Sequence, residues 1–209
     1  MISKLHYITQ GKTSEEHLEN IQKACTSGAE LVQLNLNNVS DKKLLEIAKE
    51  ARKITSHFQT RLLINGHYKI AKEIKADGVH LEKSDICSTK ARIHLYTWQI
   101  IGATANTVQD CKKILEKQVD YITLSPFKEK VNTKSVLGLN GFTLISEALQ
   151  TETPIIGFGC ITTKDVVEIL ETGISGVAVS DEITKNFDLI KEYNTLLKAS
   201  STEEMRHRF

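Results

Sequence analysis

The sequence predicts an α/β chain folded as a single (β/α)₈ TIM barrel, and three observations predict it. Short β-branched or apolar runs alternate with longer stretches of helical period from residue 4 to residue 197, the pattern of a parallel sheet wrapped by helices. Eight such pairs can be counted. The 209 residues, 40% of them hydrophobic, suffice for one well-filled core near the short end of what a barrel needs. Pro occurs only twice, at Pro126 and Pro154, and no Pro-rich or Gly/Ser-rich tract breaks the composition, so one barrel over residues 1–198 is expected. The end, SSTEEMRHRF, is polar without a sustained period and reads as a tail over 199–209.

The predicted strands are Leu5–Thr9, Leu31–Leu36, Leu62–Asn65, Gly78–Leu81, Gln99–Ala103, Tyr121–Leu124, Ile155–Gly159 and Gly176–Ser180, each as short as barrel strands are. Between them His17–Ser27 places Leu18, Ile21 and Cys25 on one helical face, and Lys43–Ser56 does the same with Leu44, Ile47, Ala48, Ala51 and Ile54. Val108–Lys117, Phe142–Leu149 and Lys164–Glu171 repeat the pattern. Ser14, Ser40, Asp41 and Thr163 offer side-chain oxygens to the N–H groups at helix starts. Gly28, Gly173 and the Ala76-Asp77-Gly78 turn stand where a left-handed residue would end a helix.

Charge narrows the function. Lys plus Arg number 27 against 26 Asp plus Glu, so no broad positive field exists to hold a nucleic acid, and a small-molecule ligand is expected. The start, MISKLHYIT, fits a buried strand better than a signal peptide, and no segment approaches a membrane-spanning length. Cys25, Cys87, Cys111 and Cys160 are scattered without metal-ligand spacing, which suits a reducing compartment, and the expectation is a cytoplasmic protein.

Polar side chains at the C-terminal ends of parallel barrel strands face one mouth. Here they are Gln33, Asn35 and Asn37, then Asn65 and His67, then His80, Glu82, Lys83 and Asp85; Thr104 and Asn106, Ser125, Gly159 and Cys160, and Ser180 and Asp181 complete the ring. An unpaired buried polar group costs roughly 1–3 kcal/mol, so these groups bond one another or a ligand. Gln33 reads equally as a tie between strands or as a ligand, while His80, between Val79 and Leu81, reads as a satisfied core histidine. Gly157, Gly159 and Gly176 would let backbone N–H groups approach an oxyanion after strands seven and eight, although tight turns alone also call for glycine. The longest connection, Ser125 to Asn140, carries Lys128, Lys130, Asn132, Thr133, Lys134 and Gly138 and is either a ligand loop or a solvated one.

Several fragments together, VQLN, LLING, ADGVHLEKSD, IGATANT, DYITLSPF, TPIIGFGCIT and GISGVAVSDEI, resemble the thiamine-phosphate synthase and thiazole tautomerase family in order and spacing from Leu5 to Ile183. The resemblance implies a transferase that joins a hydroxymethyl-pyrimidine pyrophosphate to a thiazole phosphate: Mg²⁺ holds the pyrophosphate as it leaves, and the thiazole nitrogen captures the pyrimidine methyl cation. It implies a homodimer too. By resemblance Gln33 and Asn65 are amide ligands, Asp85 is one of two Mg²⁺ carboxylates, Thr133 and Lys134 grip phosphate, and Gly159 begins the thiazole-phosphate turn.

The chain departs from the family pattern at several of these positions. Asn35 stands where the family has a pyrophosphate-clamping Arg, Asn37 where it has Lys, and Gly66 where it has the other Asp. Glu82 and Lys83 replace a glycine and a glutamine, Thr104 a serine, Asn106 a histidine, Cys160 a second glycine, and Asp181 a serine. The expected catalytic set is Asn35, Thr104 and Lys134; substrate is expected on Gln33, Asn65, Lys83, Thr133, Gly159, Cys160 and Ser180, and the metal on Asp85. Lys83, His67, Lys128 and Lys130 are the candidates to make up for the lost cations.

Two readings follow: a synthase with a rewired set of cations, or a divergent barrel that binds a thiazole phosphate or another phosphate ligand, or isomerises one like the tautomerase. The latter is weakened because Asn106 cannot serve as the acid or base that the family's histidine supplies. A cluster of lysines around Asp85 would favour the synthase, and a neutral or closed mouth the alternative.

Overall fold

In the computed structural model, which describes residues 2–128 and 136–206, eight parallel strands close into a barrel in sequence order. They are β1 (Leu5–Ile8), β2 (Leu31–Leu34), β3 (Arg61–Asn65), β4 (Gly78–Leu81), β5 (Ile100–Ala105), β6 (Tyr121–Leu124), β7 (Ile155–Phe158) and β8 (Gly176–Val179). Pairing of Leu5 with Val177 closes the ring. Thr104 therefore lies inside a strand rather than after one, and Gln99 lies before it.

Two-residue periodicity divides each strand between two cores. Outward residues such as Tyr7, Val32, Ile64, Val79, Ile101 and Val177 pack under the helices. Inward residues Ile8, Leu31, Leu63, Tyr121, Ile156 and Ala178 fill the barrel interior. Burying each large apolar side chain stabilises the fold by about 1.5–3 kcal/mol. One pleat farther along, the same inward face becomes polar: Gln33 follows Leu31, Asn65 follows Leu63, Thr123 follows Tyr121 and Ser180 follows Ala178. That switch from apolar plug to polar layer makes the floor of the mouth.

Among the described residues the helices are α1 (Ser14–Thr26), α2 (Asp41–His57), α3 (Tyr68–Glu73), α4 (Ser88–His94), α5 (Val108–Leu115), α6 (Gly138–Leu149), α7 (Val166–Glu171), α8 (Asp181–Lys185) and α9 (Leu189–Arg206). The backbone of α9 is helical to Arg206, into the polar tail that the sequence marked from residue 199. No helix among the described residues is long and apolar enough to cross a membrane.

Ser40 caps α2 as expected, its hydroxyl accepting from the Lys43 N–H. Elsewhere the cap falls one residue earlier than the sequence suggested: Thr13, not Ser14, accepts from Glu16 N, and Thr162, not Thr163, forms a reciprocal capping pair with Asp165. Asp41 is the first helical residue of α2, not its cap. Gly28 (φ 91°) and Gly173 (φ 86°) do reverse the chain. At the third turn the left-handed residue is Lys75 (φ 51°), not Gly78. Gly78 is glycine for another reason, since a Cβ there would stand 2.2 Å from the Ile100 carbonyl oxygen of the neighbouring strand.

Candidate active site

The polar floor is tied together by amides. Gln33 on β2 donates to the Asn65 side-chain oxygen on β3 at 2.9 Å. Asn65 in turn donates to Asn35 at 3.1 Å, and Asn37 donates to the same Asn35 oxygen at 3.2 Å. Of the two sequence readings of Gln33, the tie between strands is the one seen here: it links β2 to β3. Asn35 and Asn37, standing where the family pattern has cations, form a neutral ladder.

The other half of the floor is a chain of hydrogen bonds. His80 meets the Tyr121 hydroxyl through Nδ1 and the Thr104 hydroxyl through Nε2, both at 2.9 Å. His80 is the satisfied core histidine the sequence suggested, and burial holds it neutral with its pKa pushed down to about 3, helped by nearby His6. Tyr121 was not singled out from sequence, because a tyrosine in DYITL looks like ordinary strand filling. The available signal was Gly102, whose absent Cβ leaves room for the ring: a side chain there would lie 2.0 Å from Tyr121 Cζ.

Two cavities open from this floor. One, of about 350 Å³, lies beyond β4 and β5 under α4 and α5, lined by Glu82, Lys83, Asp85, Thr104, Asp110, Lys113 and Lys117 among others. Asp85 accepts the Glu82 N–H at 2.7 Å. Gly66 faces it directly, as a Cβ on Gly66 would stand 3.3 Å from Asp85 Oδ2. Lys83 pairs with Asp110 at 2.6 Å. Burial pushes the Asp110 carboxyl up, but hydrogen bonds from Lys83, Thr107 and the Asn106 N–H outweigh it and hold the pKa at about 2. Lys113, on α5, and Lys117, two residues past its end, escaped sequence reasoning; both line this cavity together with Asp110.

The second cavity, of about 620 Å³, lies at the ends of β6, β7 and β8 and is lined by Gln10, Lys128, Gly159, Cys160, Ser180, Asp181 and Lys185 among others. Its glycine turn is built against the preceding loop. Phe127 N donates to the Phe158 carbonyl at 2.8 Å and Lys128 N to that of Gly159 at 3.0 Å. Gly159 has φ 123°, and a Cβ there would lie 2.7 Å from Phe127 N. Cys160 follows with φ 46°, a left-handed conformation that side chains adopt at a cost. Gly157 and Gly176, read from sequence as oxyanion glycines, serve packing instead: Phe142 lies 2.7 Å from a Cβ at the first and the Lys4 carbonyl 2.2 Å from one at the second.

Of the other expected site residues, Ser180 lines this cavity while its hydroxyl donates to the Ile8 carbonyl at 2.7 Å. Asn106 donates to the Ser125 carbonyl at 2.7 Å and so shapes the loop. His67 turns toward Asp41, at 3.6 Å. Lys128 pairs with Asp165, and Asp181 with Lys185 at 2.9 Å. Thr133, Lys134, Lys130 and Asn132 lie outside the described residues.

A closed (β/α)₈ barrel with a polar floor and two cation-bearing cavities beyond its strand ends belongs to the class of barrels that handle small anionic ligands at that face. The family model for thiamine monophosphate synthase matches residues 5–183. A thiamine-phosphate synthase of Flavobacterium johnsoniae is 37% identical over 96% of this chain and 99% of its own. One from Bacteroides fragilis is 31% identical over 92% and 98%. Among solved structures, the thiamine phosphate pyrophosphorylase of Pyrococcus furiosus superposes with a TM-score of 0.80 at 24% identity, covering 94% of this chain and 96% of that one. The chain belongs to the thiamine-phosphate synthase family.

Proposed function

We infer that the protein is a cytoplasmic thiamine-phosphate synthase, a transferase that joins hydroxymethyl-pyrimidine pyrophosphate to thiazole phosphate. The observation that carries this reading is the gathering of Lys83, Lys113 and Lys117 around the cavity that holds Asp85 and Thr104. The family pattern's Arg and Lys after β2 are Asn35 and Asn37 here, and these lysines supply positive charge from beyond β4 and β5 instead. Charge-assisted bonds to a phosphate are about twice as strong as neutral ones, so such a relocation preserves the essential electrostatics.

The geometry supports the following division of labour. The lysines hold the pyrophosphate, and the Thr104 hydroxyl donates to it. The Gln33, Asn65 and Asn35 amides present donors and acceptors to the flat pyrimidine. The larger cavity around Gly159, Cys160 and Ser180 takes the thiazole phosphate. The bond between the pyrimidine methylene carbon and the pyrophosphate oxygen breaks with its electrons leaving on oxygen, and the thiazole nitrogen lone pair forms the new C–N bond. Both reactants are held in one mouth, which removes most of the entropic cost of bringing them together.

Mg²⁺ suits this site as an ion shared with substrate. Asp85 offers one carboxylate, and magnesium in phosphate-transfer sites typically takes one or two from the protein with the remainder from phosphate oxygens and water. When bound, the ion would neutralise charge developing on the leaving pyrophosphate.

The test is product formation from both substrates and Mg²⁺, compared between the wild type and Asp85→Ala. The reading expects thiamine phosphate from the wild type and a loss of at least 100-fold in the variant, roughly the effect of removing a group that stabilises developing charge. No product from a folded wild type that binds phosphate compounds would support the alternative, a ligand-binding barrel, which the neutral Asn35–Asn37 ladder favours.

A further inference from the structure

The hydrogen-bond chain through the barrel floor has a direction, and that direction decides what Thr104 can do. Four groups lie in series: the Tyr121 hydroxyl, His80 Nδ1, His80 Nε2 and the Thr104 hydroxyl. His80 is neutral, so only one ring nitrogen carries hydrogen, and the partners determine which one. If Nε2 carries it, Nε2 donates to Thr104 Oγ1, and the threonine's own hydrogen is free for a ligand. If Nδ1 carries it, Thr104 must donate inward to Nε2 and offers the mouth only lone pairs. These alternatives are opposites for an anionic substrate.

The surroundings select the first. Burial holds Tyr121 in its phenol form, with its pKa pushed far up, so the hydroxyl always has a hydrogen to place. Among the described residues its hydrogen-bond partner is His80 Nδ1. An N–H on Nδ1 would make the phenol oxygen the acceptor and leave the buried phenol hydrogen without one, which costs roughly 1–3 kcal/mol. Two further contacts agree. The Glu82 carboxylate stands 4.0 Å from Nε2, where its charge favours a hydrogen on that nitrogen. His6, packed edge-on to the Tyr121 ring at 4.9 Å, offers no competing bond: its Nε2 meets the Ser3 carbonyl and its Nδ1 has no hydrogen-bond partner.

We propose that Tyr121 is a positioning residue that fixes the Nε2–H tautomer of His80 and thereby sets Thr104 as a hydrogen-bond donor toward an anionic phosphate oxygen in the Asp85 cavity. Tyr121 itself touches no substrate. Its ring occupies the space left by the missing side chain at Gly102 on the paired strand. The role of Thr104 rests on the synthase reading, whereas the tautomer does not.

The experiment is nitrogen NMR on full-length, ligand-free protein labelled in histidine, with His80 assigned by loss of its signals in His80→Asn. The Nε2–H pattern is expected in the wild type. Thr104→Val should retain it, because the Tyr121 hydroxyl still donates to Nδ1. Tyr121→Phe should shift His80 toward Nδ1–H or a mixture and lower kcat about tenfold, with KM for the pyrimidine pyrophosphate changed less than twofold. An Nδ1–H histidine in the wild type would overturn the proposal whether or not Tyr121→Phe folds. So would a Thr104→Val protein that loses the Nε2–H form. If the protein makes no thiamine phosphate, the synthase reading fails while the NMR result still decides the tautomer.

Discussion

Gly66 faces Asp85 so closely that a side chain begun at Gly66 would meet the carboxylate at 3.3 Å. The Asp85 carboxylate thus borders the space that a side chain at Gly66 would need. Gly66→Asp should place two negative charges side by side, in a left-handed backbone (φ 71°) that aspartate tolerates better than most residues. Without metal the variant should melt roughly 3–6 °C below the wild type. Mg²⁺ should recover most of that loss and stabilise the variant more than the wild type. Equal Mg²⁺ responses in thermal melts would show that the two positions do not share an ion.

Acid should destabilise the fold earlier than its carboxylates alone would. Burial, opposed by the Ser3 carbonyl hydrogen bond, lowers His6 to about 4, and burial with nearby His6 lowers His80 to about 3. Unfolded histidines titrate near 6.5, so below that pH the unfolded chain takes up protons that the fold refuses. The stability these neutral rings provide is complete above pH 6.5 and is lost as pH falls toward 4 for His6 and toward 3 for His80. Each ring should contribute a slope of roughly 1.4 kcal/mol per pH unit once well below 6.5. Urea titrations between pH 7 and 5 measure it, and a flat profile would contradict the buried neutral pair.

Gly159→Ala should be severely destabilising. Its Cβ would strike the Phe127 backbone at 2.7 Å, and its φ of 123° lies outside what alanine accepts. A loss of about 2 kcal/mol or more in chemical denaturation is expected. A loss below about 0.5 kcal/mol, typical of an ordinary surface change, would mean that the loop does not rest on this glycine.

Replacing Lys113 and Lys117 together by alanine tests the relocated cation cluster. The expectation is a rise of about tenfold in KM for the pyrimidine pyrophosphate, growing smaller as salt is added. An unchanged KM would leave Lys83 alone in that role.

Much of the fold was legible because two-residue and 3.6-residue periods are local properties. Gly78–Leu81 and Tyr121–Leu124 were placed to the residue, and Gln33, Asn65, His80 and Thr104 were singled out as polar residues near strand ends, although Thr104 lies inside β5. Fine turn chemistry was less legible. Thr13 and Ser14 are both competent caps, and only backbone geometry decides that Thr13 accepts the bond. The glycines were ambiguous in the same way, since Gly78, Gly157 and Gly176 are required by neighbours distant in sequence. Resemblance marked Asp85 as a metal carboxylate and Gly66 as the loss of the other, whereas the Tyr121–His80–Thr104 chain joins three strands and appears in no local pattern.

The most direct test of the central claim is to measure thiamine phosphate and pyrophosphate together in one reaction of the wild-type protein with both substrates and Mg²⁺. The account predicts the two products in equal amounts, dependent on the thiazole phosphate. Pyrophosphate released without thiamine phosphate, or neither product from intact substrates, would contradict it.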